Sequence, residues 1–284
     1  MLSPLLFTKM QGLGNDFVVI DDLGSVPATQ GLDLGKLAKK ICDRRFGIGA
    51  DQILWLKKSR SSVADIRMEI LNADGSEAEM CGNGIRAVAR YLQRHTGLKR
   101  PESSSSVLPS YLIETLGGVK KVELMGNEVI VDMGAPTLGK GFLGQGEELV
   151  VAGERLFFYE VNVGNPHAVF FVNALSQFPV ETLGPLIEKH PRFPQRTNVE
   201  FVEVGDGHSI RVRVWERGAG ITLACGTGAC ASAVASLATQ KVSGRVEVLL
   251  PGGALQITWS GKVTDSVMMQ GPAEEVFQGR FLFE

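Results

Sequence analysis

The sequence predicts an α+β protein built as two similar mixed α/β lobes from an internal duplication. Three observations carry this. A Cys-Gly-x-Gly turn occurs twice, in "AEMCGNGIRAV" from Ala78 and in "LACGTGACAS" from Leu223, with its cysteines 144 positions apart. Each turn follows a strand whose apolar residues alternate with period two. The flanking landmarks recur in the same order in both halves.

In chain order, "GNDFVVID" at Gly14 matches "GNPHAVFFV" at Gly164, and in both a Gly-Asn pair opens a hydrophobic strand. A helical pattern follows, Leu34, Leu37, Ala38 and Ile41 in the first copy and Val180, Leu183 and Ile187 in the second. After a loop, an amide side chain, Gln52 or Asn198, leads into another strand. Next come the alternating strands, Ile66, Met68 and Ile70 against Ile210, Val212 and Val214, which break into polar turns at Asn72 and at Glu216-Arg217.

The cysteines come next, each leading into a helix. Ile85, Val88, Ala89 and Leu92 have helical spacing up to a stop at Gly97, and "ACASAVASLATQK" is helix-favouring until about Gly244. Downstream, "LGGVKKVELMGNEVIVDMGAP" pairs with "PGGALQITWSGKVTDSVMMQGPA". Strands outnumber helices, which favours α+β over a doubly wound parallel sheet. The lobes are expected at 1–136 and 137–273, with "KGFLGQGEEL" as the connection and "PESSSS" from Pro101 as a flexible surface loop. Residues 274–284 fall outside the repeat.

Composition narrows the function. The 284 residues are 44% hydrophobic and carry a net charge of -2 with no basic block, so nucleic-acid and anionic-membrane roles lack an electrostatic footprint. No apolar run has the length of a membrane span, and the start "MLSPLLFTKM" lacks the features of a secretory signal. These features predict a cytoplasmic protein with reduced cysteines and a small-molecule partner. The four cysteines, 42, 81, 225 and 230, form no CxxC pair and have no histidine at ligand spacing, so neither structural zinc nor a thioredoxin-like motif is expected.

A cysteine just before a helix N-terminus meets free N–H groups and the positive end of the helix dipole, which stabilise a thiolate and attract a carboxylate. Two such termini facing one cavity can clamp a carboxylate, with a sulfur on each side of the adjoining carbon. A thiolate on one face and a thiol on the other can then invert that stereocentre. N–H groups near Gly82, Asn83, Gly226 and Thr227 would stabilise charge developing on the carboxylate. Cys42, in an amphipathic helix, and Cys230, inside the second Cys-led helix, read instead as small buried residues.

At these motifs the chain resembles the diaminopimelate epimerase family. The resemblance covers almost the whole length through "KMQGLGNDF", "FGIGADQ", "LNADGSEAEMCGNG", "GNPHAV", "RTNVEF" and "WERGAGITLACGTGAC". It implies a cofactor-independent isomerase of lysine and peptidoglycan-precursor synthesis, using neither pyridoxal phosphate nor a metal, and compatible with a homodimer. Cys81 and Cys225 would be the two proton-transfer residues. Asn15, Gln52, Asn72, Gly82, Asn83, Asn165, Asn198, Glu216, Arg217, Gly226 and Thr227 would bind substrate, and His167 and Glu216 would tune the thiol pKa values. It also implies two pseudo-symmetric lobes with the active site in the cleft between them, and a C-terminal strand, within "VFQGRFLFE", that returns to the first lobe.

Physical chemistry is consistent with that set. Arg217 can grip a carboxylate through its planar fork, while the amides can donate to a carboxylate or accept from an ammonium. Taken singly, Asn15 and Asn72 also suit turns, and His167 could serve only to cap its strand. Ile221 and Gln11 depart from the family, which often has Glu and His at those places. Two other functions are weighed: a racemase for a smaller amino acid such as proline or hydroxyproline, and a thiol redox or amino-acid-binding protein without turnover. A substrate with one carboxylate would leave Arg217 and the asparagines unmatched, at about 1 to 3 kcal/mol for each buried group.

Overall fold

A computed structural model of the protein describes residues 4–24, 33–98 and 108–282. The "PESSSS" stretch lies outside the described residues. The chain forms two compact units, Met1–Val131 with Pro272–Glu284, and Asp132–Gly271.

In the first unit β1 (Leu5–Gly12) and β2 (Asn15–Asp21) form an antiparallel hairpin. Its two turn residues, Leu13 and Gly14, have φ of 57° and 81°. This is the left-handed pair that matches the twist of a two-residue hairpin, and it sets Asn15 at the first position of β2. Helix α1 (Leu34–Cys42) is capped by Asp33, whose carboxylate accepts from the Lys36 N–H. It buries Leu37, Ala38, Ile41 and Cys42 against Val18, Ile20, Ile53 and Trp55. The helical crossover returns β3 (Gln52–Lys57) parallel to β2, with Phe17 opposite Gln52.

Antiparallel β4 (Ile66–Asn72) and the short β5 (Glu77–Ala78) lead into α2 (Gly82–His95). The unit continues with β6 (Ser110–Thr115), parallel to β4, then β7 (Gly118–Met125) and β8 (Glu128–Asp132) in antiparallel succession.

The second unit repeats this plan. After β9 (Thr137–Leu138) come β10 (Glu147–Val151), β11 (Glu154–Asn162) and β12 (Pro166–Phe171), an antiparallel run. Helix α3 (Val180–Glu188) crosses to β13 (Asn198–Val204), which lies parallel to β12 with His167 opposite Asn198. That register is the one Phe17 and Gln52 adopt in the first unit. Antiparallel β14 (Ser209–Glu216) and the short β15 (Gly220–Ile221) lead to α4 (Gly226–Ala238), then β16 (Val246–Leu250), β17 (Gly253–Thr258) and β18 (Met268–Pro272). Phe158, Phe170, Phe193 and Phe201 anchor the core under α3. Finally β19 (Glu274–Phe281) pairs antiparallel with β1.

Two details differ from the sequence expectation. The stretch 140–149 is not a connection, because a 3-10 turn at Lys140–Leu143 and β10 place it inside the second unit. Helix α4 stops at Ala238, well before Gly244, because Gln240 turns left-handed at φ 56° and the Lys241 N–H closes the end on the Ser236 carbonyl at 2.9 Å.

Candidate active site

The local reason for each Cys-led turn is helix capping. The first N–H groups of a helix lack intrahelical partners, and a side chain before them can accept from the third. Cys81 does this for α2, accepting the Gly84 N–H on Sγ at 3.2 Å. Cys225 does it for α4, accepting the Gly228 N–H at 3.3 Å. All four cysteines are free thiols.

The second glycine of each motif explains itself by contact. A Cβ on Gly84 would lie 3.3 Å from Cys81 Sγ and 3.0 Å from a Leu54 methyl. One on Gly228 would lie 3.3 Å from Cys225 Sγ and 2.9 Å from Glu200 Oε1. These glycines therefore face inward, letting the sulfur fold over the helix end, and their role is packing beneath the thiol.

In the first unit Cys81, Asn15 and Asn83 form one cluster. The Cys81 thiol donates to Asn15 Oδ1 at 3.7 Å, and Asn83 Nδ2 donates to the same oxygen at 3.3 Å. Two groups the sequence reading did not single out hold these amides. Asn15 Nδ2 donates to Asp51 Oδ2 at 2.8 Å, and the fully buried Arg86 donates from Nη2 to Asn83 Oδ1 at 2.9 Å. Asp51 is in turn paired with Arg44, which also bonds Asp16, and Asp16 takes the buried Lys9. Burial opposes ionisation of Asp16, yet hydrogen bonds from Arg44 and Lys9 outweigh it and take the carboxyl down to about 2. Gln52 and Asn72 form a second pair, with Gln52 Nε2 donating to Asn72 Oδ1 at 2.8 Å. Asn72 also serves its turn, donating to Ser76 Oγ.

In the second unit Asn165, His167, Thr227 and Cys225 form a continuous chain. Asn165 Nδ2 donates to Thr227 Oγ1 at 3.3 Å, and that hydroxyl lies 3.5 Å from Cys225 Sγ. His167 Nε2 lies 2.9 Å from Asn165 Oδ1, and its Nδ1 lies 2.7 Å from Glu200 Oε1. His167 sits within β12 and is fully buried, so it is not a strand cap. It reaches Cys225 only through Asn165 and Thr227. Asn198 Oδ1 accepts the Arg217 N–H at 2.9 Å, fixing the turn after β14, and the exposed Arg217 guanidinium donates to the Gln195 carbonyl. Glu216 accepts from Thr222 Oγ1 at 2.6 Å.

Electrostatics correct one expectation. The helix end was expected to favour a thiolate at each cysteine. At Cys225 burial pushes the thiol well above its usual value, and the carboxylates of Glu216 and Glu200 push the same way. The Thr227 hydroxyl and the Gly228 N–H pull it down, but by less. Cys225 therefore rests as a thiol. Burial likewise lifts Cys42 to about 12, in keeping with an inert core thiol, and Cys230 is fully buried within α4.

The two departures also find places. Gln11 accepts the Gly14 N–H at 3.0 Å, bracing the turn before Asn15, and donates to Glu274 on β19. Ile221 pairs with Trp215 across β14 and β15 and is 40% exposed. Among the described residues no group of three or more His, Cys, Asp and Glu side chains could hold a metal ion, and no helix is long and apolar enough to cross a membrane.

Asp51 and Glu200 lie inside "FGIGADQ" and "RTNVEF", and Arg86 follows the first Cys-Gly-x-Gly. Only the fold reveals them, because Asp51 and Arg86 each hold an amide and Glu200 holds the His167 ring.

Comparison with known proteins places this geometry. Among solved structures, a hydroxyproline epimerase from Agrobacterium vitis superposes with a TM-score of 0.73 at 14% identity, covering 98% of this chain and 92% of its own. A phenazine biosynthesis protein of the PhzF family from Bacillus anthracis gives 0.70 at 16%, covering 99% and 100%. These likenesses show the fold. At the level of sequence, the diaminopimelate epimerase of Carboxydothermus hydrogenoformans is 48% identical over 97% of this chain and 98% of its own length. That of Microcystis aeruginosa is also 48% identical, over 96% and 97%. The profile of the diaminopimelate epimerase family matches residues 7–139 and 159–276, one stretch for each Cys-led repeat. The chain belongs to the diaminopimelate epimerase family.

Proposed function

We propose that this protein interconverts LL-2,6-diaminopimelate and meso-2,6-diaminopimelate, with Cys81 and Cys225 as the two proton-transfer groups. The observation that carries the reading is the repeated cap: each cysteine sulfur accepts the N–H three residues on, at the start of corresponding helices in a chain of this family.

One sulfur, as thiolate, takes the α-proton, and the C–H electron pair stays on carbon, delocalised into the substrate carboxylate. The other sulfur, as thiol, delivers its proton to the opposite face and becomes the thiolate. The two sulfurs end with protonation states exchanged, so the reverse reaction uses the same groups. No pyridoxal phosphate is needed, because the preorganised N–H groups at Gly82, Asn83, Gly226 and Thr227 stabilise the developing charge. Substrate carboxylate also replaces water around the thiols, where a proton moves between partners without net charging of the site.

Asn15, Gln52, Asn72, Asn165, Asn198, Glu216 and Arg217 bind the remaining carboxylate and ammonium groups. Arg217 suits a carboxylate, and Glu216 suits an ammonium. The reaction serves lysine and peptidoglycan-precursor synthesis. It needs both thiols reduced, which fits the cytoplasm. A homodimer is tested by sizing the protein in solution.

The deciding experiment incubates the pure protein with LL-diaminopimelate in deuterated water, and with proline in parallel. Deuterium should appear at one α-carbon of diaminopimelate and not in proline. Absence of label in diaminopimelate would overturn the proposal. Cys81→Ala and Cys225→Ala should each abolish turnover, while Cys42→Ala and Cys230→Ala should retain it.

A further inference from the structure

His167 and Glu200 have direct counterparts in the first repeat, and the difference is chemical. The strand pair β2/β3 has the register of β12/β13, Phe17 opposite Gln52 and Val19 opposite Leu54 against His167 opposite Asn198 and Val169 opposite Glu200. Phe17 thus corresponds to His167, and Leu54 to Glu200. All four are fully buried. Leu54 packs under Gly84 as Glu200 packs under Gly228. The same fold is therefore built once with an apolar pair and once with a titratable pair.

Stability does not account for the second choice. Removing a carboxyl and an imidazole from water is costly, and apolar residues of similar volume commonly do as well or better. Glu200 Oε2 is moreover buried with no hydrogen-bond partner among the described residues. The polar pair lies only under the helix that starts at Cys225, and it touches Asn165, the first link in the chain to that sulfur.

We propose that Glu200 is a positioning residue that, through His167, locks the Asn165 amide with its oxygen inward and its Nδ2 hydrogens toward Thr227, the hydroxyl beside Cys225. Both ring nitrogens of His167 face oxygens, Glu200 Oε1 and Asn165 Oδ1. In that arrangement Nε2 donates to Asn165 Oδ1, and one hydrogen, on Nδ1 or on Glu200, joins the ring to the carboxyl. Burial pushes the Glu200 carboxyl up, against the pull of His167. With Asn165 Nδ2 bonded to its oxygen, Thr227 is free to donate its own hydrogen to Cys225 Sγ. The Phe17–Leu54 pair cannot do this for the first repeat, where Asp51 orients Asn15 instead.

The inference rests on the epimerase reading for its consequence in turnover, but its first test does not. In ¹⁵N-histidine spectra of the ligand-free wild-type protein, with the His167 signals assigned by their loss in His167→Phe, Nε2 should carry a hydrogen. A ring whose sole hydrogen is on Nδ1 would mean the reversed amide and would overturn the proposal. Glu200→Gln can donate to Nδ1 and so should keep the Nε2 hydrogen and most of the turnover. Glu200→Leu, which copies Leu54, leaves Nδ1 against hydrocarbon, so the ring should keep its one hydrogen on Nε2 but lose the support that holds it in place, and kcat should fall about 10²-fold, the scale of a displaced catalytic contact. A folded Glu200→Leu protein that turns over diaminopimelate at the wild-type rate would also overturn it. Should that variant fail to fold, the wild-type spectrum and Glu200→Gln still decide. If the wild-type protein does not label diaminopimelate at all, the spectrum judges the proton's place independently.

Discussion

Asn15, the first residue of β2, and Asn165, the residue before β12, hold corresponding places in the two repeats and turn their amides in opposite senses. Asn15 directs its oxygen to the Cys81 thiol at 3.7 Å, whereas Asn165 directs its nitrogen to the Thr227 hydroxyl at 3.3 Å. Each orientation follows from what sits behind the amide. Asp51 can only accept, so Asn15 must offer it Nδ2. The first cysteine thus meets an acceptor, and the second stands beside a hydroxyl that can donate.

Asp51 is accordingly expected to matter without touching substrate. Asp51→Ala removes the acceptor that fixes Asn15 and should lower kcat/KM roughly tenfold or more, as small displacements of contact groups do. Asp51→Asn retains an oxygen for Asn15 Nδ2 and should lose clearly less. Steady-state kinetics on the two variants decides, with thermal melts to monitor folding. Equal losses in both would show that Asp51 acts by its charge and not by orienting the amide.

Asp16 should make the first unit acid-sensitive. Its carboxyl is held near 2 by Arg44 and Lys9 against an ordinary value of 3.8, so the folded state favours the ionised form. The stabilisation is complete above the unfolded value and is lost as pH falls through the folded one. Asp16→Asn should therefore cost on the order of 2 kcal/mol at neutral pH, partly by leaving Lys9 without its charge partner. The gap between variant and wild type should narrow below about pH 4 and close near pH 2, read by urea denaturation across that range. A gap independent of pH would place the effect in packing.

Cys225 should behave as a thiol through the neutral range. Burial, Glu216 and Glu200 all push its pKa up. Alkylation of the ligand-free protein by iodoacetamide, mapped by peptide mass, should be slow at Cys225 until pH exceeds 9, because the thiolate is the reactive form. Glu216→Gln removes one of the charges opposing ionisation, so the rise should move to lower pH. A Cys225 rate already at its plateau by pH 8 would contradict the assignment.

The sequence carried the architecture because the duplication is written in residues whose local physics is strong. The Gly-Asn strand openings, the period-two strands Ile66–Ile70 and Ile210–Val214, and the two Cys-Gly-x-Gly turns all signal their structure from side-chain pattern alone. The family and both helix-capping cysteines were legible for the same reason. The layer behind the site was not. Glu200 lies in a strand that also carries Asn198 and Glu203, and Asp51 and Arg86 are charged residues that a pattern would assign to solvent, yet Glu200 meets the His167 ring across the parallel pair and the other two each meet an amide. The resting state of Cys225 was also hidden, because helix position argues for a thiolate while the opposing Glu200 comes from a strand 25 positions earlier. Only the paired register of β12, β13 and α4 makes that carboxylate a neighbour.

The two inward glycines should differ in tolerance, although their motifs look alike. At Gly84 an added methyl meets a Leu54 methyl at 3.0 Å, on a side chain held by apolar contacts that can shift a little. At Gly228 it meets Glu200 Oε1 at 2.9 Å, and that oxygen is pinned by His167 at 2.7 Å. Overpacking of a well-filled site costs about 1 to 3 kcal/mol, with rigid surroundings toward the upper end. Gly228→Ala should therefore destabilise more than Gly84→Ala in chemical denaturation. In Gly228→Ala with Glu200→Leu the obstacle is a hydrocarbon branch, as it is at Gly84, so the penalty of the added methyl should fall to the Gly84→Ala value. An unchanged penalty in that double variant would assign the crowding to Cys225 itself, whose Cβ and Sγ lie 3.2 and 3.3 Å from the new methyl.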